Sequence, residues 1–204
     1  MEKTEKLVYK PGVTLEGIYK AYSPRFGFLI TDDDHEDVYI GEDNHLNAVN
    51  NDKVEVKTIK GETGRHNTEG RITRVIERAN DTFVCTYEML KDGGEAVPID
   101  EKVDMVIEIP EGQEMEATTG ARVIVEVTEW PGKWTDAKGH VTEVIGYEGD
   151  KGLDIDIIIA QHRLPHVFSD ELMKEADALP REVVPENGVA DFRDLPIVTF
   201  DGPD

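Results

Sequence analysis

The sequence predicts a mainly β fold: two tandem five-stranded barrels, then a short helix and an extended C-terminal arm. Three observations carry that expectation: short apolar alternation, a repeat at one fixed offset, and a change of character after residue 150. Val54/Val56, Val103/Met105, Val123/Val125/Val127 and Ile155/Ile157/Ile159 place apolar residues two apart, with Gly, Asn, Asp and Pro between the clusters. Successive strand side chains point to opposite faces, so this is the pattern of half-buried strands in an antiparallel barrel or sandwich.

The repeat sets the size of each unit. Ala48–Val56 resembles Ala117–Val125, and Gly70–Ile76 resembles Gly139–Ile145; both pairs are 69 residues apart. That period is too long for a solenoid repeat and fits a small five-stranded Greek-key barrel, the OB-fold. The expected domains are 10–78, 79–150, and a third segment, 151–204. In the third, Ser169 can cap a helix whose first turn holds Asp170 and Glu171. Leu172, Ala176 and Leu179 would share one face of it before Pro180 ends it. Pro180, Pro185, Gly188 and Pro196 then mark an extended arm, and Leu195–Phe200 reads as a last strand.

Charge bounds the function. Among 204 residues, 44 acidic side chains face 22 basic ones, a formal −22, which excludes a chain coated in cations. Residues 1–78 carry 15 acidic and 12 basic side chains, net −3; residues 79–204 carry 29 and 10, net −19. A polyanion would therefore meet the N-terminal part. Cys85 is the only cysteine, so an intramolecular disulfide and a Cys-rich zinc finger are excluded. The charged start, Met1–Lys6, is unlike a signal peptide, and no run approaches the roughly 18 apolar residues of a membrane span. A cytoplasmic protein with no membrane partner is expected.

Arg25-Phe26-Gly27-Phe28-Leu29-Ile30, followed by Val38-Tyr39-Ile40, is the strongest local motif. Phe26 and Phe28 share a strand face. If that face is exposed, they and Tyr39 form a platform for unstacked bases, with Lys20 and Arg25 reaching phosphates. If it is not, the rings are core. Shifting the three positions by the repeat offset gives Glu95, Val97 and Glu108; two acids at matching positions favour an exposed face for Phe26 and Tyr39. Elsewhere the signals are weaker. Asp32–Asp37 lacks the Gly and Glu of an EF-hand loop, His162 and His166 flank Pro165 without a third zinc ligand, and Cys85 reads as a buried strand residue. Trp130 and Trp134 either stack on RNA or pack their Pro-Gly turn.

These residues resemble a known family. Phe26–Leu29, Asp37–Ile40 and Asn51–Val56 are similar to the first cold-shock domain of bacterial ribonuclease R, of the ribonuclease II family. Glu129-Trp130-Pro131 and Gly139–Gly146 are similar to its second, and Asp191–Gly202 to the entry of its nuclease domain. The resemblance implies two cold-shock-like OB barrels that bind single-stranded RNA and guide it to a 3′-to-5′ processive exoribonuclease. It implies a magnesium site of four aspartates in the parent enzyme, of which only Asp201 has a counterpart here. This piece is therefore expected to be catalytically inactive and to need no cofactor. Where the family has a basic residue and a glycine ahead of the first aromatic, this chain has Pro24 and Arg25. The alternative is an acidic OB-fold protein-interaction or regulatory module that docks on a basic partner such as the ribosome.

Overall fold

A computed structural model describes residues 7–31, 35–59, 68–132, 134–179, 192 and 194–198. The chain falls into two units, Met1–Leu164 and Pro165–Asp204.

The first unit holds two closed barrels. β1 (Thr14–Ser23), β2 (Phe26–Ile30), β3 (Val38–Gly41), β4 (Lys53–Ile59) and β5 (Glu69–Glu77) close in the order β1-β2-β3-β5-β4. β6 (Thr82–Leu90), β7 (Gly93–Pro98), β8 (Ile107–Ile109), β9 (Arg122–Glu129) and β10 (Ala137–Gly146) repeat that order as β6-β7-β8-β10-β9. In each barrel the third and fifth strands pair in parallel and the other neighbours are antiparallel. Strand alternation fills the interiors: Tyr19, Leu29, Val38, Ile40, Val54 and Val56 in the first, and Tyr87, Ala96, Ile107, Ile109, Val123 and Val125 in the second.

The predicted repeat is physical down to its hydrogen bonds. In the first barrel Tyr19 N–H donates to the Asp52 carbonyl at 2.9 Å, and Asn51 N–H donates to the Tyr19 carbonyl at 2.7 Å. In the second, Tyr87 N–H donates to Ala121 at 2.9 Å and Gly120 N–H to Tyr87 at 2.8 Å. The turn needs a left-handed residue, supplied by Asn51 (φ 74°) and Gly120 (φ 91°), types that tolerate it.

Asp52 differs from Ala121 in carrying a carboxylate, which holds the junction of the barrels. It is fully buried and accepts from Val49 N–H (3.0 Å), Ala79 N–H (2.9 Å) and Arg78 Nη1 (2.8 Å). Arg78 also donates to the Asn47 carbonyl and to Asn47 Oδ1, both at 2.7 Å. Its guanidinium lies 3.5 Å from the centre of the Trp130 ring, and Asn47 Nδ2 donates to the Pro131 carbonyl at 2.8 Å. Burial lowers the Arg78 pKa, against the opposing pull of Asp52.

Three expected strands are corrected. Ile155–Ile159 lies within α1, a helix over Leu153–Gln161 against β6 and β10. Both barrels are closed, so a strand there would find no edge to pair with. Val103 and Met105 fall in the β7–β8 connection rather than in a strand. Leu195–Val198 forms no strand, and Thr199 and Phe200 lie outside the described residues. In the second unit the expected helix is α2, Asp170–Ala178, with Ser169 Oγ accepting from Leu172 N–H at 3.3 Å. No helix among the described residues is long and apolar enough to cross a membrane.

Candidate nucleic-acid interface

β2 and β3 sort their side chains by alternation. Gly27, Leu29, Val38 and Ile40 point inward and are buried, whereas Phe26, Phe28 and Tyr39 point outward and are half-buried. The core reading of these rings is thereby excluded. Phe28 pairs in register with Tyr39 and with Lys20 of β1. Their ring centres are 5.7 Å apart for Phe28–Tyr39, 5.9 Å for Phe26–Tyr39 and 6.2 Å for Phe26–Phe28.

A fourth ring completes the cluster. Tyr22, 63% exposed, lies parallel to Phe26 at 6.1 Å and edge-on to Phe28 at 5.5 Å. The β1–β2 register runs Ala21↔Gly27 and then Ser23↔Phe26, so Tyr22 is the extra residue of a β-bulge. Bulges re-aim a side chain, and this one sets a ring against the platform. The alternation Tyr19-in, Lys20-out, Ala21-in was the signal that could have found it.

Lys20 stands in register with Phe28, and Arg25 directly precedes Phe26 in the chain. Lys20 is exposed, and its ammonium donates to Asn51 Oδ1. Arg25 is exposed in the β1–β2 turn, where its N–H donates to Ser23 Oγ at 3.2 Å. Asp201 lies outside the described residues, and among those described no group of three or more His, Cys, Asp or Glu side chains could hold a metal.

The second barrel presents the opposite face. Glu88 pairs with Glu95, and Glu95 with Glu108, three exposed carboxylates in one cross-strand row. Matching strand to strand, Lys20–Phe28–Tyr39 occupies this row in the first barrel. The ungapped offset is corrected here. Glu95 corresponds to Phe28 rather than Phe26, and Phe26 corresponds to Gly93, because the bulge at Tyr22 and a shorter β2–β3 loop shift the register within the repeat. Tyr39 and Glu108 do correspond.

Comparisons agree with this geometry. Residues 17–75 match the family model described as the ribonuclease B OB domain, and residues 96–169 match the cold shock domain. The chain is 31% identical to ribonuclease R of Acidithiobacillus ferrooxidans, over 93% of this chain and 44% of that protein. It is 30% identical to ribonuclease R of Escherichia coli, over 93% of this chain and 24% of the other. Mycoplasma genitalium RNase R in complex with ribose methylated single-stranded RNA shares the fold, with a TM-score of 0.66 and 17% identity over 82% of this chain and 27% of that one. The chain thus spans less than half the length of these proteins. By these matches the chain is similar to ribonuclease R over most of its own length, its first barrel matching the ribonuclease B OB domain and its second overlapping the cold shock domain.

Proposed function

We propose that the first barrel binds single-stranded RNA on the platform of Tyr22, Phe26, Phe28 and Tyr39, and that Lys20 and Arg25 meet its phosphates. The observation that carries this reading is the set of three outward rings on the strand 2–strand 3 face, the face OB barrels use for oligonucleotides, with the ring of Tyr22 from strand 1 set against them. Stacking on such rings tolerates any base sequence, which suits a protein that passes a strand along. On this reading 10–78 and 79–150 are the two binding-type domains, and 151–204 leads toward a nuclease domain. Hydrolysis from the 3′ end, with its magnesium, belongs to longer ribonuclease R chains in the cytoplasm, and these barrels hold and guide the strand. That a protein of this fold has been solved in complex with ribose methylated single-stranded RNA supports the reading.

A second reading has its own observation. The row Glu88–Glu95–Glu108 suits a basic protein surface such as the ribosome's. Titration of the chain with single-stranded RNA at two salt concentrations tests the first reading. Binding that weakens with salt, and weakens again on Phe26→Ala, is expected; no binding at low salt would remove it.

A further inference from the structure

Three concavities of the Met1–Leu164 unit join into one groove. The first is lined by Tyr22, Ser23 and Pro24 on one side and by the Asp100–Lys102 turn on the other. Ser23, Pro24 and Lys102 also line the second, a cavity of about 470 Å³ with Ala48, Val49 and Met105 among its walls. Met105, Pro131 and Gly132 continue into the third, which ends at Trp134. The groove therefore starts at a ring of the platform and finishes at a second aromatic. Trp134 is 86% exposed, on the loop between β9 and β10. OB barrels bind oligonucleotides with this loop and with the one joining their first two strands; here the first barrel supplies the latter and the second barrel the former.

We infer that a single strand of RNA leaves the platform at Tyr22, crosses the groove between the barrels, and stacks a base on Trp134. This rests on the RNA reading of the platform and extends it to the second barrel. The walls are apolar enough to take an unstacked base. Asp100, Glu101 and Asp104 also line the groove and disfavour phosphate inside it, so the backbone stays at the lip, where Lys102 is exposed. The second barrel thus contacts RNA by its loop, although its β7–β8 face is acidic.

The test compares RNAs of two lengths on the full chain, about 4 and about 16 nucleotides, the range of one OB site. Trp134→Ala is expected to weaken the longer RNA about fivefold or more, as loss of one stacked base does, and to leave the shorter one unchanged. Lys102→Ala should weaken the longer RNA and reduce its salt dependence. Phe26→Ala should weaken both lengths. Because Trp134 is so exposed, its variant should melt with the wild type. If Trp134→Ala binds the longer RNA normally while Phe26→Ala does not, the groove falls and the platform stands. If the wild-type chain binds neither length, the platform falls and the groove with it. A lysine-rich peptide that binds through Trp134 when RNA does not would make the groove a protein-docking site instead and overturn the inference.

Discussion

Gly27 lies directly against the buried ring of Tyr19. A Cβ built on Gly27 would fall 2.5 Å from Cε2 of that ring and 2.4 Å from the Lys20 carbonyl oxygen. Gly94 and Tyr87 repeat the arrangement in the second barrel, with a Cβ 2.4 Å from Cε2 of Tyr87. Each tyrosine fills the place where its glycine lacks a side chain. Gly27→Ala and Gly94→Ala should each destabilise the chain by roughly 1–3 kcal/mol through overpacking. Urea midpoints read this directly, and an unchanged midpoint would mean that the ring can step aside.

The platform rings lie outside the core, so their loss should separate binding from stability. Tyr22→Ala, Phe26→Ala and Tyr39→Ala should each reduce RNA affinity by about 1–3 kcal/mol. A core ring would instead cost on the order of 3–5 kcal/mol of folding stability. Lys20→Ala and Arg25→Ala should each flatten the logarithmic salt slope by about 0.7. Melts and titrations on the same proteins distinguish the two cases.

Asp52 and Arg78 should behave as a unit. Arg78→Ala leaves a buried carboxylate without its cation and should cost about 3–5 kcal/mol. Asp52→Ala combined with Arg78→Met should cost less than the sum of the single changes, because neither charge is then stranded. Strict additivity in a double-mutant cycle would show that the pair is not coupled.

Glu95 stands between Glu88 and Glu108 across two strand pairs, and like charges directly opposite destabilise a sheet. Glu95→Gln should raise stability by roughly 0.2–1 kcal/mol at low ionic strength. Molar salt should erase most of the gain, since exposed charges are screened. A gain insensitive to salt would point to packing instead.

Burial pushes the Cys85 thiol from 9.0 up to about 12, and the Tyr19 hydroxyl from 10.0 up to about 12. Above pH 9 the unfolded chain releases the thiol proton while the native chain keeps it. Stability should be complete below that pH and fall as pH rises toward 12, by up to about 1.4 kcal/mol per unit for each group. Cys85→Ala should make the fall shallower between pH 9 and 10. A thiol reagent should modify Cys85 only on the unfolding timescale; immediate reaction at pH 8 would contradict its burial.

Alternation and repetition carried most of the fold, because a strand pattern is local and survives in the sequence. Val54/Val56 and Val123/Val125/Val127 became the fourth strands of the two barrels, and Ser169 capped its helix. Ile155/Ile157/Ile159 misled because closure of both sheets, a property of the whole, leaves no edge for another strand. Phe26, Phe28 and Tyr39 were legible as a face, and alternation along β1 turns Tyr22 outward as well; what it does not encode is the bulge that brings this ring against Phe26. The Asp52–Arg78–Trp130 contact joins residues with no common spacing and left no trace in the sequence.

Strand alternation separates what each barrel is made of from what it meets. The interiors of the two barrels share their tyrosine–glycine device, while the outward row changes from one cation and two rings to three carboxylates. For an approaching polyanion this is a matter of kinetics. Within about a Debye length, ~8 Å at physiological ionic strength, the carboxylate row turns away misdirected encounters that the ring-bearing face would accept. If RNA is the partner, as proposed, the chain would orient its collisions before any contact forms, and that selection would fade as salt shortens the field's reach.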